Sequence, residues 1–405
     1  MLLSIPGEIL ASILEELKAT NIADIRAAAL TCRALLQPSQ RCLFASLQIQ
    51  NPAQLSRLLH SFQNSTYLPG YVHSLELMET FKPWHSLLKP CQWLTKPATI
   101  DLFLEFFPLL TEVTTFSFQL SGYKSWRELP KTFQVVIILF LHGNPSLDHL
   151  RLPVIVDLPL DLFTHCMDLR ALRLSQGIDD KPGVLADDIP KTRWSPHIHH
   201  LRRLELFYIG KHGVVHSPSP NLIPDGIDIS SLESLEVVAI YTLPSLQPVL
   251  QAGTLRKLVL KPVGFRYQPN TERVLDLSQL NLLETLHISD SWDGGENVLP
   301  WLPPTLGSLP TPHRSLKSIN IIIDLTDMPS QTSAQGLSNL RDVLGNLHGT
   351  SPGVLKSIHI EVHALRAVVI NTVKVEALCE PHLLWPGSGD VLEIIWSKPP
   401  LDLQH

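Results

Sequence analysis

Leu283-Glu284-Thr285-Leu286-His287-Ile288 is the phrase on which the fold turns, with apolar residues at its first, fourth and sixth places. The last two lie two residues apart, on one face of a β-strand, and the leucine three residues earlier marks the entry from a turn. The same phrase returns as Leu147-Leu150-Leu152, Leu169-Leu172-Leu174, Leu201-Leu204-Leu206, Leu232-Leu235-Val237, Leu255-Leu258-Leu260, Leu316-Ile319-Ile321 and Leu355-Ile358-Ile360. Weaker copies are Val72-Leu75-Leu77 and Val113-Phe116-Phe118. Successive copies stand 22 to 41 residues apart, enough chain for a crossover that brings each strand back parallel to the last. A unit this short cannot hide its apolar face alone, so stacking on neighbours has to build the core.

This pattern resembles leucine-rich repeats, which predicts an α/β fold: an irregular solenoid with a parallel β-sheet over residues 72–400. Between the phrases, 102–110, 132–141, 246–251, 337–347 and 365–378 read as helical returns. Residues 179–200, 211–230, 261–270 and 293–313 read as proline- and glycine-rich loops. The repeats depart from the regular type. The places of its asparagine ladder hold Ile155, Gly177, Ile209, Ile240, Val263, Ser291, Asp324 and His363. The alternative architecture is a set of unrelated α/β domains.

Composition narrows the function classes. The 405 residues carry 32 Lys and Arg against 38 Asp and Glu, a net charge of −6, so no basic field favours nucleic acid. With 44% hydrophobic and 17% charged residues the chain has ample surface to bury and is not of disordered type. The 33 prolines argue for many reversals and against long helices. The longest wholly apolar run, Val135 to Leu141, is far short of the about twenty residues of a membrane span. The opening residues lack a basic stretch, and Glu15 and Glu16 interrupt any signal-like apolar core. Five scattered cysteines, none spaced C-x-x-C, read as reduced thiols in a cytoplasmic or nuclear protein.

The first fifty residues form a different segment. After Pro6, Ile9, Ile13 and Leu17 recur every fourth residue beside Leu10 and Leu14, opposite Glu8, Glu15, Glu16 and Lys18. Asn21 is placed to cap a second helix over Ile22 to Thr31, and Ser39, after Pro38, to cap a third containing Cys42, Leu43, Phe44 and Leu47. Three helices in about 45 residues make a unit too small to cover its own apolar surface, and with no metal ligands among them a partner is implied. The predicted organisation is residues 1–50 as docking helices, 51–71 as a linker helix and 72–400 as the repeats.

No motif assembles a catalytic site, and the chain reads as a non-enzyme without cofactor or metal. Gly349-Thr350-Ser351-Pro352-Gly353 matches the G-x-S-x-G elbow, but proline after the serine removes the N–H that an oxyanion hole needs, and the motif precedes a strand instead of following one. His197, His199 and His200, with His212 and His216 downstream, straddle a proline-rich loop and lack interleaved carboxylates, so they read as a poor zinc frame. Asp179-Asp180 and Asp187-Asp188 read as solvated loop acids. Gly294-Gly295 and Gly387-Ser388-Gly389 have neither the spacing nor the lysine of a phosphate loop.

Surface is what remains. Residues between the two inward positions of each strand point outward: Glu76, Ser117, Arg151, Arg173, Glu205, Glu236, Val259, His287, Asn320 and His359, flanked by His149, Arg203, Phe207, Lys257, Lys261 and Glu361. A row that changes sign along its length fits a recognition surface on which arginines grip carboxylates, although solvent-facing strand positions are polar by default.

The opening residues Ile5-Pro6-Gly7-Glu8-Ile9-Leu10, then Ile13 and Leu17, Leu30-Thr31-Cys32-Arg33 and Arg41-Cys42-Leu43-Phe44, resemble the F-box, a three-helix motif. Leu35 stands where that family usually has tryptophan. An F-box followed by degenerate leucine-rich repeats is similar to the large F-box families of fungi. The resemblance implies a substrate-recognition subunit of a Skp-cullin-F-box type ubiquitin ligase. Pro6, Ile9, Leu10, Ile13, Leu30, Cys32, Leu43 and Phe44 would contact the Skp-type adaptor, and through it a cullin. Arg151, Arg173, Arg203, Glu205, Glu236, His287 and His359 would contact a protein client, with no nucleic acid or membrane involved. The rival reading is a leucine-rich-repeat scaffold protein whose first helices only cap the repeats.

Overall fold

Each phrase found in the sequence forms a strand, because its alternate apolar residues have a buried face to fill. The computed structural model describes residues 5–79, 93–120, 124–152, 155–156, 158, 160–163, 166, 168–177, 200–209, 228–240, 246–263, 275–292, 301–325, 337–351, 353–364, 372–385 and 388–397. The chain divides into two units, residues 1–175 with 193–200, and residues 176–192 with 201–405.

The first unit opens with helices α1 (Gly7–Thr20), α2 (Ile22–Thr31) and α3 (Arg33–Phe44). Strands β1 (Ser46–Ile49), β2 (Ser74–Met78), β3 (Thr115–Gln119), β5 (His149–Leu152) and β7 (Ala171–Gly177) then stack in that order, all parallel. Two short strands, β4 (Lys124–Ser125) and β6 (Ile155–Val156), pair separately. The returns are α4 (Pro52–Gln63), α5 (Pro97–Phe106) and α6 (Lys131–Gly143). Their inner faces pack phenylalanines into a continuous file: Phe62 stacks on Phe106 at 5.6 Å, and Phe107 meets Phe140 at 4.5 Å and Phe116 at 6.4 Å.

The second unit continues the pattern with longer strands: β8 (Arg203–Ile209), β9 (Ser234–Ile240), β10 (Lys257–Val263), β11 (Thr285–Trp292), β12 (Ser318–Leu325), β13 (Ser357–Ala364) and β14 (Leu392–Ser397). These are parallel and adjacent in chain order. Its helices are α7 (Gln247–Gln251), α8 (Leu302–Gly307), α9 (Leu337–Thr350) and α10 (Thr372–Leu383). The inward residues align across strands, Leu235 with Leu258, Leu286, Ile319 and Ile358, and all five are fully buried.

A backbone stitch joins successive repeats. At the entry to most of the described repeats one carbonyl accepts the N–H groups of two consecutive residues in the next repeat. Ala45 O accepts from His73 and Ser74, His73 O from Thr114 and Thr115, and Thr114 O from Asp148 and His149. The same pattern runs from Glu233 O to Arg256 and Lys257, from Arg256 O to Glu284 and Thr285, and onward to Lys356 and Ser357. These bonds satisfy the backbone where each strand begins without any particular side chain.

Three expectations need correction. Residues 46–49 are a sheet strand, paired Leu47 with Leu75 and Ile49 with Leu77. The repeat stack thus begins near residue 46, and α4, expected as part of a linker over 51–71, is the return segment of the first repeat. The third helix starts at Arg33, not Ser39, and carries Pro38 inside it; Ser39 is buried with its hydroxyl unpaired. Extended backbone at Cys32 sets the start, and packing on α2 and α1 offsets the bond that proline cannot donate. The loop expected over 293–313 contains α8. Among the described residues no helix is long and apolar enough to cross a membrane.

Candidate protein-interaction surfaces

The three opening helices share a very small core. Leu14, Ile25 and Cys42 are its buried residues, with Leu10, Leu17, Ala28 and Leu43 packed around them. Asn21 caps α2 as its sequence position implies, accepting the Ala23 N–H at 3.0 Å. The Cys42 thiol points at the Leu14 carbonyl, 3.5 Å away, and burial pushes its pKa up to about 11, so it remains a protonated packing group.

That core leaves apolar side chains in solvent. Ile9 is 53% exposed, Ile13 46% and Leu30 87%, and Ile22 and Leu36 are exposed as well. The eight residues named for adaptor contact therefore fall into distinct places. Pro6, Ile9, Ile13 and Leu30 are exposed and Cys32 is half-buried. Leu10 and Leu43 pack against the core of the helices themselves. Phe44 turns toward the repeats, its ring 5.8 Å from Phe62. Ile22 and Leu36 were not singled out, because neither falls on the four-residue spacing of the first helix.

α3 joins the repeats directly. Besides Phe44, Arg41 lies over the Tyr71 ring at 5.3 Å, and Gln37 Nε2 donates to the Tyr71 hydroxyl at 3.0 Å. β1 follows α3 after Ala45 alone.

The second surface is the outward face of the strands. In the first unit Gln48, Glu76, Ser117, Arg151 and Arg173 stand in register, with Gln48 Nε2 donating to Glu76 at 3.0 Å. In the second unit the column runs Glu205, Glu236, Val259, His287, Asn320, His359 and Glu393. The structure thus aligns the named client residues Arg151 and Arg173 in one column and Glu205, Glu236, His287 and His359 in another. Arg203, two residues before Glu205 on β8, reaches back to its carboxylate at 2.6 Å.

Charges on the second unit's face are largely answered from within it. Lys261 is 2.8 Å from Glu236, and His359 is 3.1 Å from Glu393. His363 lies between Asp324 at 3.0 Å and Glu361 at 2.8 Å, while burial raises the pKa of Asp324. Burial lowers the pKa of His287, whose Nε2 is enclosed without a partner, so its neutral form is favoured. The His363 cluster and Glu393 escaped sequence reading because the strands of this unit outrun the six-residue phrase and β14 lacks its first apolar residue.

Other motifs fall into structural roles or lie outside the described residues. Ser351 is buried, its hydroxyl accepting the His313 N–H at 2.9 Å, and Gly353 has φ 79°, a conformation that favours glycine and turns the chain. His197, His199, His212, His216, Asp179, Asp180, Asp187, Asp188, Gly294 and Gly295 lie outside the described residues. Among the described residues no group of His, Cys, Asp or Glu is placed to hold a metal ion.

The stacked parallel strands and their carbonyl stitch define an α/β protein of leucine-rich-repeat-like construction. No protein-family model matches the chain, and no curated protein does. Among solved structures it is similar to an internalin of Listeria monocytogenes, at 14% identity over 74% of this chain and 70% of that one, with a TM-score of 0.28. So loose a likeness carries no functional information.

Proposed function

We propose that the protein is a substrate-recognition subunit of a Skp-cullin-F-box type ubiquitin ligase, docking through its opening helices and holding a protein client on its strand faces. The observation that carries this reading is the solvent exposure of Ile9, Ile13 and Leu30 on helices fixed to a repeat body. Covering each such side chain is worth up to roughly 1.5–3 kcal/mol before association costs, so a few suffice for a stable contact. The role needs no chemistry from the chain; it raises the effective concentration of a client beside the ligase.

A second reading has its own support. Phe44 packs on Phe62 and β1 belongs to the sheet, so the helices also cover the first repeat, as a capping element of a scaffold protein would. The two roles fall on different helices: α3 makes the cap contacts, while α1 and α2 carry Ile9, Ile13, Ile22 and Leu30.

Co-expression with a Skp-type adaptor tests the proposal. The expected result is 1:1 co-elution that Ile9→Asp with Ile13→Asp abolishes while the thermal unfolding of the protein is unchanged. Failure of the unaltered protein to co-elute would refute the ligase reading, and co-elution of the double variant would refute the assigned face.

A further inference from the structure

The last strand of the second unit has an open side. β14 pairs with β13 along one edge and, among the described residues, with no strand along the other. Bonding in a parallel pair alternates along the strand, and the Ile358 N–H reaches the Val391 carbonyl at 2.7 Å, so Glu393 and Ile395 turn their backbone groups to β13. The N–H and C=O groups of Leu392, Ile394 and Trp396 therefore face outward, a short row that a further strand would satisfy. The apolar layer beneath is unfinished too. Leu392, Ile394 and Trp396 are half-buried, whereas Ile358, Ile360 and Val362, their register mates on β13, are buried. Leu384, just after α10, is 46% exposed. Charge commonly guards such an edge, but the one charge on β14, Glu393, is drawn back toward β13 by His359 at 3.1 Å.

We propose that β14 is a self-association edge, at which two copies of this chain join by antiparallel pairing of their β14 strands about a two-fold axis at Ile394. Residues opposite each other in an antiparallel pair point to the same face, so inward positions must meet inward positions. Centring on Ile394 achieves this. Ile394 meets its own copy, Leu392 meets Trp396 of the other copy, and the outward backbone groups of both strands pair. The same register sets Glu393 opposite Ile395, so the two carboxylates do not confront each other. A lone peptide strand would only carry the open edge outward by one position. A second copy removes both edges at once and lays one unfinished apolar layer against another. β1, at the other end of the strand order, has its inward Leu47 and Ile49 buried, which leaves β14 to pair with itself and not head to tail. Self-pairing neither requires nor excludes the adaptor contact on α1 and α2.

The test is sedimentation velocity of the full chain from about 1 to 100 μM, where a small interface should reveal a reversible monomer–dimer equilibrium. Ile394→Pro removes the outward N–H at the axis and should leave a monomer throughout that range. Ile395→Glu sets a carboxylate opposite Glu393 twice per dimer and should weaken dimerisation about tenfold. Ile395→Lys sets an ammonium there and should tighten it by about the same factor. Both changes place a charge at one position, so mere damage to the fold would move them the same way. Circular dichroism is recorded for each variant, and if Ile394→Pro fails to fold, the opposed shifts of the Ile395 pair decide. A monomeric unaltered protein, a dimer that survives in folded Ile394→Pro, or like shifts in the two Ile395 variants would each overturn the pairing. Dimerisation that begins only when residues 398–405 are removed would assign the edge to that segment and overturn the second copy as its occupant.

Discussion

The hydroxyl of Ser351 accepts the backbone N–H of His313, joining two buried residues 38 positions apart in the chain. His313 in turn fastens the entry to β12. Its Nδ1 accepts the N–H groups of Ser315 at 3.3 Å and Leu316 at 3.0 Å, so the ring proton sits on Nε2, 3.1 Å from the Leu280 carbonyl it faces. One histidine and one serine thereby tie three successive repeats together.

Replacing Ser351 with alanine leaves the buried His313 N–H without its acceptor. The cost of such an orphaned group is about 1–3 kcal/mol. Thermal unfolding of Ser351→Ala should show a clear fall in Tm, and an unchanged Tm would mean the bond contributes nothing.

The protonation of His313 predicts a pH dependence. Burial holds its pKa below the ordinary imidazole value of 6.5, and His287 shifts the same way for the same reason. Below that value the unfolded chain binds protons that the folded state resists, so these groups contribute stability that is complete above about pH 6.5 and is lost as pH falls. Urea midpoints measured at pH 7.5 and pH 5 should drop toward acid. The drop should shrink in His313→Gln, which cannot titrate, and a variant with an undiminished acid loss would assign the effect elsewhere.

Phe62 joins the opening helices to the returns, touching Phe44 on one side and Phe106 on the other. Phe62→Ala opens a cavity at that junction and should cost about 3–5 kcal/mol. The loss is to be read by chemical denaturation, alongside Leu139→Ala on the exposed side of α6, where little change is expected.

Deleting residues 1–44 spares β1 and so separates docking from capping. If the helices are a docking module, the remaining chain stays folded with an unchanged strand signal in circular dichroism and a modestly lower Tm. The lost Phe44–Phe62 pair itself is worth about 0.5–1.5 kcal/mol. Collapse into an unfolded or aggregated product would favour the capping role.

The repeats were legible because their signal is local. Apolar residues two apart need only a strand to place them on one side, and every clean copy of the phrase became one. The two strands of the main stack that the phrase does not reveal have specific causes. Phe44-Leu47-Ile49 is a full copy, but its first residue also completes the helical pattern of α3, and the helix was extended over it. β14 has Gly389 at the first apolar place, so its phrase is incomplete. Pairings across the face, such as His363 with Asp324, follow from register between distant segments, which no spacing within one segment encodes. On the opening helices the stripe was readable, but its division was not. Leu10 and Leu43 turn into the helices' own small core while Ile9 and Leu30 do not, and that choice is made only when three helices meet.

The junction between α3 and β1 contains a single residue, Ala45, and is clamped by Phe44 against Phe62 and by Arg41 over Tyr71. It therefore works as a weld without a swivel. Whatever grips the opening helices also fixes the heading of the first strands behind them, so the reach of anything carried there is dictated by the geometry of the first repeats and not by the length of a tether.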